Sequence, residues 1–143
     1  MIVSLGCDHG GYLLKEEIKK YLSNKGIEVI DVGTDSLESC HYPVFGEKAA
    51  RLVKDKKADY GILVCTSGEG IMMAANKVKG IRCGIGYNDE VSKLMRQHNN
   101  ANMIAFGAKF MDKEDVLRRI DIFLNTPFEG GRHQVRVDLI EKI

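Results

Sequence analysis

The sequence predicts an α/β fold, a three-layer α/β/α sandwich built around a five-stranded parallel sheet. Five short apolar runs alternate with stretches of helical periodicity, and glycine-containing turns join them. The run Tyr60–Cys65 is continuously apolar, which is typical of a strand buried on both faces. Alternation of strands and helices favours parallel strands, because each helical crossover returns the chain to the same edge of the sheet.

The elements of the first half of the chain are predicted from periodicity and turn residues. The strands are Ile2–Leu5, Ile27–Val32 and Tyr60–Cys65, and the helices between them are Tyr12–Asn24 and Val44–Lys56. In both helices, apolar residues recur at spacings near three and four. Gly26 is expected to end the first helix, and Pro43 suits the start of the second.

The second half continues the same alternation. The strands are Ile81–Gly86 and Met103–Gly107, and the helices are Gly70–Val78, Glu90–His98, Lys113–Leu124 and Arg132–Ile143. A chain of 143 residues without an internal repeat or linker suits one domain. We therefore expect a single domain over residues 1–143, in which residues 128–143 form a C-terminal tail with a final helix.

Composition excludes several classes of protein. Lys plus Arg is 21 and Asp plus Glu is 20, so the chain lacks the basic excess of a general nucleic-acid binder. No apolar run reaches the roughly 18 residues that a membrane-spanning helix needs. The N-terminus has no secretory pattern, so a cytoplasmic location is expected. The four cysteines include no C-x-x-C pair and are expected to be free thiols.

Parallel sheets bind ligands beyond the carboxyl ends of their strands, where the strand order reverses. The turns after the first and third strands are therefore expected to form the site. After the third strand, the segment Cys65–Gly70 opens a helix. The free N–H groups and the dipole of a helix start suit an anion. They also favour the thiolate form of Cys65, which is then expected to act as base or nucleophile. The alternative is that Cys65 is an inert buried residue in a tight turn. A dinucleotide-binding loop is excluded, because Met73 stands in place of its third glycine. A cysteine phosphatase loop is excluded as well, because Ile71 stands in place of its arginine.

The turn after the first strand contains Asp8 and His9. His9 is suited to a phosphate or a hydroxyl, and Asp8 is suited to a hydrogen bond from a polyol. The alternative is that Asp8 caps a helix and His9 is incidental. A metal site from the cysteines and histidines at 7, 9, 40 and 41 lacks a standard zinc spacing, so no metal site is predicted.

Two further segments contain residues suited to chemistry. His98 ends a predicted helix and is suited to proton transfer near neutrality, although it also suits the dipole at a helix C-terminus. Arg132 and Arg136 are four residues apart, so a helix places both on one face, where two guanidinium groups suit a phosphate. The alternative for the arginines is a solvated helix face.

Together these motifs resemble the type B ribose-5-phosphate isomerases, a family that also includes the galactose-6-phosphate isomerase subunits. The resemblance covers the whole chain in order and includes the loop around Cys65, the segment Gln97–Asn99 and the segment Gly130–His133. It implies a Rossmann-like sandwich, a homodimer or a dimer of dimers, and active sites at the dimer interface. It also implies aldose–ketose isomerisation of a small sugar phosphate without a metal or an organic cofactor.

The resemblance implies a role for each matching residue. Cys65 matches the base, His98 matches the residue that assists ring opening, and Ser67 stands where the family usually has a threonine beside the sugar. The loop that holds the enediolate oxygens matches Thr66, Ser67, Gly68, Glu69 and Gly70. The sugar and phosphate contacts match Asp8, His9, Tyr42, Asn99, Lys109, Arg132 and Arg136.

The sequence departs from the family pattern at three positions, and the first two departures bear on the identity of the substrate more than on the reaction class. Thr66 replaces the usual glycine after the cysteine, and Glu69 adds a negative charge near an anionic intermediate. Lys109 replaces an arginine and loses its bidentate geometry. Other sugar phosphates are therefore alternative substrates: allose 6-phosphate, galactose 6-phosphate or a tetrose phosphate. A non-catalytic phosphosugar-binding module is a further alternative, and the joint presence of Cys65, Ser67 and His98 argues against it.

Overall fold

The computed structural model describes residues 1–143 and confirms the predicted fold, a five-stranded parallel sheet between two layers of helices. The strands are β1 (Ile2–Cys7), β2 (Glu28–Asp31), β3 (Tyr60–Cys65), β4 (Cys83–Ile85) and β5 (Met103–Gly107). The helices are α1 (Tyr12–Asn24), α2 (Tyr42–Lys54), α3 (Glu69–Asn76), α4 (Asp89–Gln97), α5 (Lys113–Asn125) and α6 (Arg132–Glu141). None of these helices has the length and apolarity that a membrane span requires.

The strand order is β2-β1-β3-β5-β4, and all neighbouring strands are parallel. From β1 the chain passes to β2 on one side and then crosses to β3 on the other, so the order reverses between β1 and β3. The register pairs Cys7 with Val64, which places the carboxyl ends of β1 and β3 side by side. The structure thus confirms that the turns after the first and third strands meet at the reversal point.

Each face of the sheet packs against its own group of helices. On one face, buried residues of α1, α4 and α5, among them Ile18, Met95 and Phe123, join the inward side chains of β1, β3 and β5. On the other face, α2 and α3 contribute a smaller core of alanine, valine and isoleucine. Burial of these two apolar layers fixes the direction of every helix relative to the sheet.

Most of the predicted elements differ from the observed ones by one or two residues at an end, as in β1 and β4. Strand β1 continues two residues further than predicted, to Cys7. Strand β4 is shorter than the predicted Ile81–Gly86, because the Arg82 N–H is taken by the Asn102 side chain at 2.9 Å. A single turn of 3₁₀ helix at His9–Gly11, which the sequence did not predict, precedes α1.

A buried lysine joins α1 to β2. The side chain of Lys15 is 2% exposed, and its Nζ lies 2.9 Å from Asp31 Oδ2 and 2.6 Å from Glu16 Oε1. Burial opposes the ionisation of Asp31, but hydrogen bonds from Lys15, the Gly33 amide and Lys19 outweigh it and lower the pKa of this carboxyl group. Asp31 is therefore the main partner that makes the buried ammonium group tolerable.

We expect Asp31→Asn to lower the free energy of unfolding by about 3 kcal/mol at pH 7, because it leaves a buried charge with one partner fewer. Since the pKa of Asp31 is lowered in the folded state, its stabilisation is present above the unfolded value of about 4 and is lost as pH falls through the folded pKa. Urea unfolding at pH 7 and at pH 3 measures both effects, and the exposed Asp35→Asn is the matched control. An equal loss for the two variants would contradict the assignment.

Candidate active site

The candidate site begins with the thiol of Cys65, the last residue of β3. Its Sγ accepts a hydrogen bond from the Gly68 N–H at 3.1 Å. Gly68 has φ +84°, and a Cβ there would lie 2.9 Å from the backbone of Phe106, so only glycine fits this turn. The turn from β3 into α3 therefore presents a backbone donor to the thiol.

The N-terminus of α3 faces the same space. The N-cap residue Gly68 has no side chain to cap this helix, and the Ser67 Oγ accepts the N–H of Glu69, the first residue of α3, at 3.2 Å. Thr66, Ser67 and Glu69 are exposed around the buried cysteine. The free amides of this turn, together with the helix dipole, favour a negative charge such as that of a substrate oxyanion at this position.

The other cysteines have different surroundings. All four are free, as predicted. Burial raises the pKa of Cys7 to about 12, and burial also raises the pKa of Cys83. These two thiols stay protonated near neutrality, so they are structural rather than reactive.

The turn after β1 lies against the cysteine loop. Asp8 is 6% exposed, and its Oδ1 accepts the Gly11 N–H at 3.2 Å, so Asp8 caps the 3₁₀ turn at His9–Gly11, as in the alternative to a substrate contact. His9 Nδ1 accepts the Cys40 N–H at 3.2 Å. Because Nδ1 provides the lone pair, the neutral ring carries its proton on Nε2, where it can be donated to a ligand.

A cavity of about 330 Å³ beside this turn is lined by His9, Gly10 and Lys109 together with three leucines and an alanine. A Cβ on Gly10 would lie 2.1 Å from Thr66 Oγ1, so the threonine occupies space that the glycine leaves open. The Lys109 N–H donates to the Thr66 carbonyl at 3.1 Å. The histidine and the lysine therefore lie on one side of the Cys65 loop, where an imidazole N–H and an ammonium group suit an anion.

Tyr42, the first residue of α2, covers the other side of the loop. A Cβ on Gly70 would lie 2.7 Å from Tyr42 Cζ, so the ring rests directly on the glycine backbone. The side chain remains 41% exposed. Its position over the loop is compatible with contact to a bound ligand.

The structure divides the fourteen predicted site residues between two edges of the sheet. Ten lie at the carboxyl edge: Asp8, His9, Tyr42, Cys65, Thr66, Ser67, Gly68, Glu69, Gly70 and Lys109. The other four lie towards the amino edge: His98, Asn99, Arg132 and Arg136.

Helix direction explains this division. Helix α4 runs against the strands and ends near the start of β5, whose Met103 pairs with Gly61 at the start of β3. His98 is the C-cap of α4, and its N–H donates to the Leu94 carbonyl at 2.8 Å. Four residue steps along β3, about 13 Å, separate Gly61 from Cys65. One chain therefore does not bring His98 to Cys65.

At the amino edge, His98 lies in a cluster with Glu129 and His133. Glu129 and His133 are not among the predicted site residues. The rings of His98 and His133 stack with centroids 4.2 Å apart and planes 11° apart. Glu129 Oε1 lies 3.8 Å from His98 Nε2 and 3.5 Å from His133 Nε2. Partial burial and the neighbouring His98 and Arg132 lower the pKa of His133. In the sequence, the cluster is indicated by the four-residue spacing between Glu129 and His133. This indication is weak, because Glu129 precedes α6 and the spacing therefore does not place both residues on one helix face.

Comparison with known proteins gives consistent matches over nearly the whole chain. The family described as Ribose/Galactose Isomerase matches residues 3–140. Ribose-5-phosphate isomerase B of Escherichia coli is 43% identical over 141 residues, which are 99% of this chain and 95% of that protein. A galactose-6-phosphate isomerase subunit of Clostridium acetobutylicum is 39% identical and covers 96% of this chain and 79% of its own.

Solved structures agree with these matches. Ribose-5-phosphate isomerase B of Clostridium thermocellum has a TM-score of 0.98 at 44% identity, covering 99% of this chain and 96% of its own. The Mycoplasma genitalium protein with bound ribulose-5-phosphate has a TM-score of 0.93 at 36% identity and covers 99% and 94%.

A buried cysteine and a helix start at the carboxyl edge of a parallel sheet are the arrangement found in α/β proteins that bind small anionic ligands. A cysteine at a helix start is a residue type suited to proton transfer in such a site. With matches that span almost its full length, the chain belongs to the ribose/galactose isomerase family.

Proposed function

We propose that this protein is an aldose–ketose isomerase that interconverts ribose 5-phosphate and ribulose 5-phosphate. The observation that carries the proposal is the Cys65 thiol at the uncapped start of α3, where it accepts the Gly68 N–H. A base and an oxyanion-binding helix start are the two elements that an enediolate mechanism requires. Relatives named ribose-5-phosphate isomerase B support the pentose substrate.

In the proposed reaction, the Cys65 thiolate removes the proton from C2 of the open-chain aldose. The electron pair forms the C1–C2 double bond, and the carbonyl oxygen at C1 becomes an enediolate oxygen. Amides of the loop 66–70 stabilise this charge as it develops. The thiol then returns the proton to C1, and the proton of the C2 hydroxyl passes to the enediolate oxygen on C1, so that C2 becomes the ketone and C1 carries a hydroxyl. No electrons leave the substrate, so no redox cofactor takes part.

In this proposal, the phosphate of the substrate binds in the cavity beside His9 and Lys109. A donated Nε2–H and an ammonium group are both suited to phosphate oxygens. In the proposal, Arg132 and Arg136 complete this subsite. Both arginines are exposed on α6, so they are available to a ligand outside their own chain.

A complete site then requires two copies of the chain. His98, Asn99 and the two arginines lie towards the edge opposite Cys65, and a partner subunit is the source that brings such residues to the thiol. Helix α6 also exposes Val135 and Leu139, which are 61% and 57% accessible and are suited to burial against a second copy. We therefore propose a homodimer, or a dimer of such dimers, with sites at the interface.

Mixing two inactive variants tests this arrangement. When Cys65→Ala and His98→Asn chains are unfolded and refolded together, half of the dimers are mixed, and one of their two sites has both intact residues. We expect about a quarter of the wild-type activity to return. Either variant refolded alone is the control. If the mixture stays inactive although mixed dimers form, Cys65 and His98 act within one chain and the shared site is wrong.

Two residues of the loop affect which sugar phosphate the protein accepts. Thr66 adds bulk beside the substrate, and Glu69 adds a negative charge. Assays over ribose 5-phosphate, allose 6-phosphate, galactose 6-phosphate and erythrose 4-phosphate, with free ribose as the unphosphorylated control, compare the alternatives. We expect the highest kcat/KM on ribose 5-phosphate. A higher value on a hexose or tetrose phosphate would change the substrate and keep the reaction, whereas binding without turnover would indicate a phosphosugar-binding module.

We also propose a cytoplasmic location. The four free cysteines support it, because a reducing compartment keeps thiols unpaired.

A further inference from the structure

The cluster of His98, Glu129 and His133 has a spacing that hydrogen bonding does not explain. The two contacts of Glu129 Oε1 with the ring nitrogens, 3.8 and 3.5 Å, are longer than hydrogen bonds. All three ligand atoms lie within 4.8 Å of one another. Ligands at about 2.0–2.1 Å from a tetrahedral zinc ion lie about 3.4 Å apart. Because the two imidazole rings are stacked with planes 11° apart, one ring must turn out of the stack before both nitrogens face one ion.

The backbone holds the three residues in place. The Glu129 N–H donates to the Gln97 carbonyl at 3.1 Å, next to His98 in the chain. The His133 N–H donates to the Gly130 carbonyl at 3.1 Å, and the His98 N–H closes the last turn of α4. Two helix ends and the segment between α5 and α6 thus converge without a ligand, which lowers the conformational cost of binding an ion.

The chemistry of the donors selects the class of ion. Two imidazoles and one carboxylate suit Zn²⁺, Ni²⁺ or Cu²⁺ rather than Mg²⁺ or Ca²⁺. In the single chain His98 and Glu129 are 39% and 49% exposed, and in the proposed dimer the space beside His98 admits the substrate, so an ion has a path to the cluster. Arg132 and Arg136 lie near and oppose a cation, and the carboxylate of Glu129 offsets part of their charge.

We propose that His98, Glu129 and His133 form an inhibitory binding site for a transition-metal ion such as Zn²⁺. The effect on activity rests on the proposed function, in which His98 transfers a proton during ring opening. A metal ion bound through Nε2 occupies the lone pair that this transfer uses. The ion takes no part in the isomerisation, and its binding stops turnover of substrates that must open a ring.

Calorimetric titration of the full-length protein with ZnCl₂ tests the site independently of activity. We expect one ion per chain, and Glu129→Gln and His133→Asn each weaken binding by about tenfold or more. His41→Asn, at an exposed histidine outside the cluster, is the matched control and should bind as wild type. Melting curves show whether each variant is folded. Binding that survives in both cluster variants and disappears in Cys65→Ala would overturn the proposal, because zinc would then be held by the thiol.

The activity measurement uses the same variants. Glu129→Gln is expected to isomerise ribose 5-phosphate at the wild-type rate without metal and to need about tenfold more Zn²⁺ for half inhibition. A chelator should restore the wild-type enzyme. If Zn²⁺ binds to the cluster but inhibits Glu129→Gln as strongly as wild type, the inhibitory role is wrong. If no isomerase activity is found at all, the proposed function fails, and the titration still decides whether the metal site exists.

Discussion

Cys65→Ala is expected to abolish the isomerisation of ribose 5-phosphate, with kcat lowered by about 10³-fold or more. The physical reason is that a general base contributes in the transition state, where it removes the C2 proton. Substrate affinity should stay within about tenfold, since the phosphate contacts remain. Steady-state rates together with a direct binding measurement separate the two effects.

The matched control is Cys83→Ala. Cys83 lies on the same face of the sheet, but burial raises its pKa and keeps the thiol protonated, so its removal should leave kcat near the wild-type value. Substantial turnover by Cys65→Ala would show that the thiol is not the base. Glu69, exposed at the first position of α3, would then be the carboxylate to substitute next.

His98→Asn should lower kcat on ribose 5-phosphate by about 10²-fold or more while sparing a tetrose phosphate. A pentose phosphate exists mainly as a ring, and an imidazole is suited to moving a proton between the ring oxygen and the anomeric hydroxyl. A tetrose phosphate has no free hydroxyl with which to close such a ring, so it does not need this step. Parallel assays on the two substrates provide the comparison.

His98 is also the C-cap of α4 and stacks on His133, so a structural effect must be separated from a chemical one. A melting curve of His98→Asn measures the structural effect. Equal rate losses on both substrates, accompanied by a lower melting temperature, would assign His98 to stability and leave ring opening to another group.

The sequence alone determined the local features of this protein. The apolar run of β3 and the spacing in α1 predicted both elements, because burial on two faces or on one stripe leaves a periodic pattern. Gly26 ends α1 with φ +76°, as its position after the helix predicted. Even the meeting of β1 and β3 was predictable, since alternating strands and helices follow few topologies. Asp8, His9 and the loop from Cys65 to Gly70 lie together for this reason.

The tertiary structure alone decided how the remaining residues are distributed. Nothing in the local sequence shows that His98 and Arg132 lie towards the edge opposite Cys65, because their position depends on the direction in which α4 and α6 pack. The burial of Lys15 against Asp31 and the approach of Glu129 to two histidines likewise depend on contacts between separate elements. Periodicity records which side of a helix is apolar, whereas long-range packing determines which polar side chains meet, and that information is spread over the whole chain.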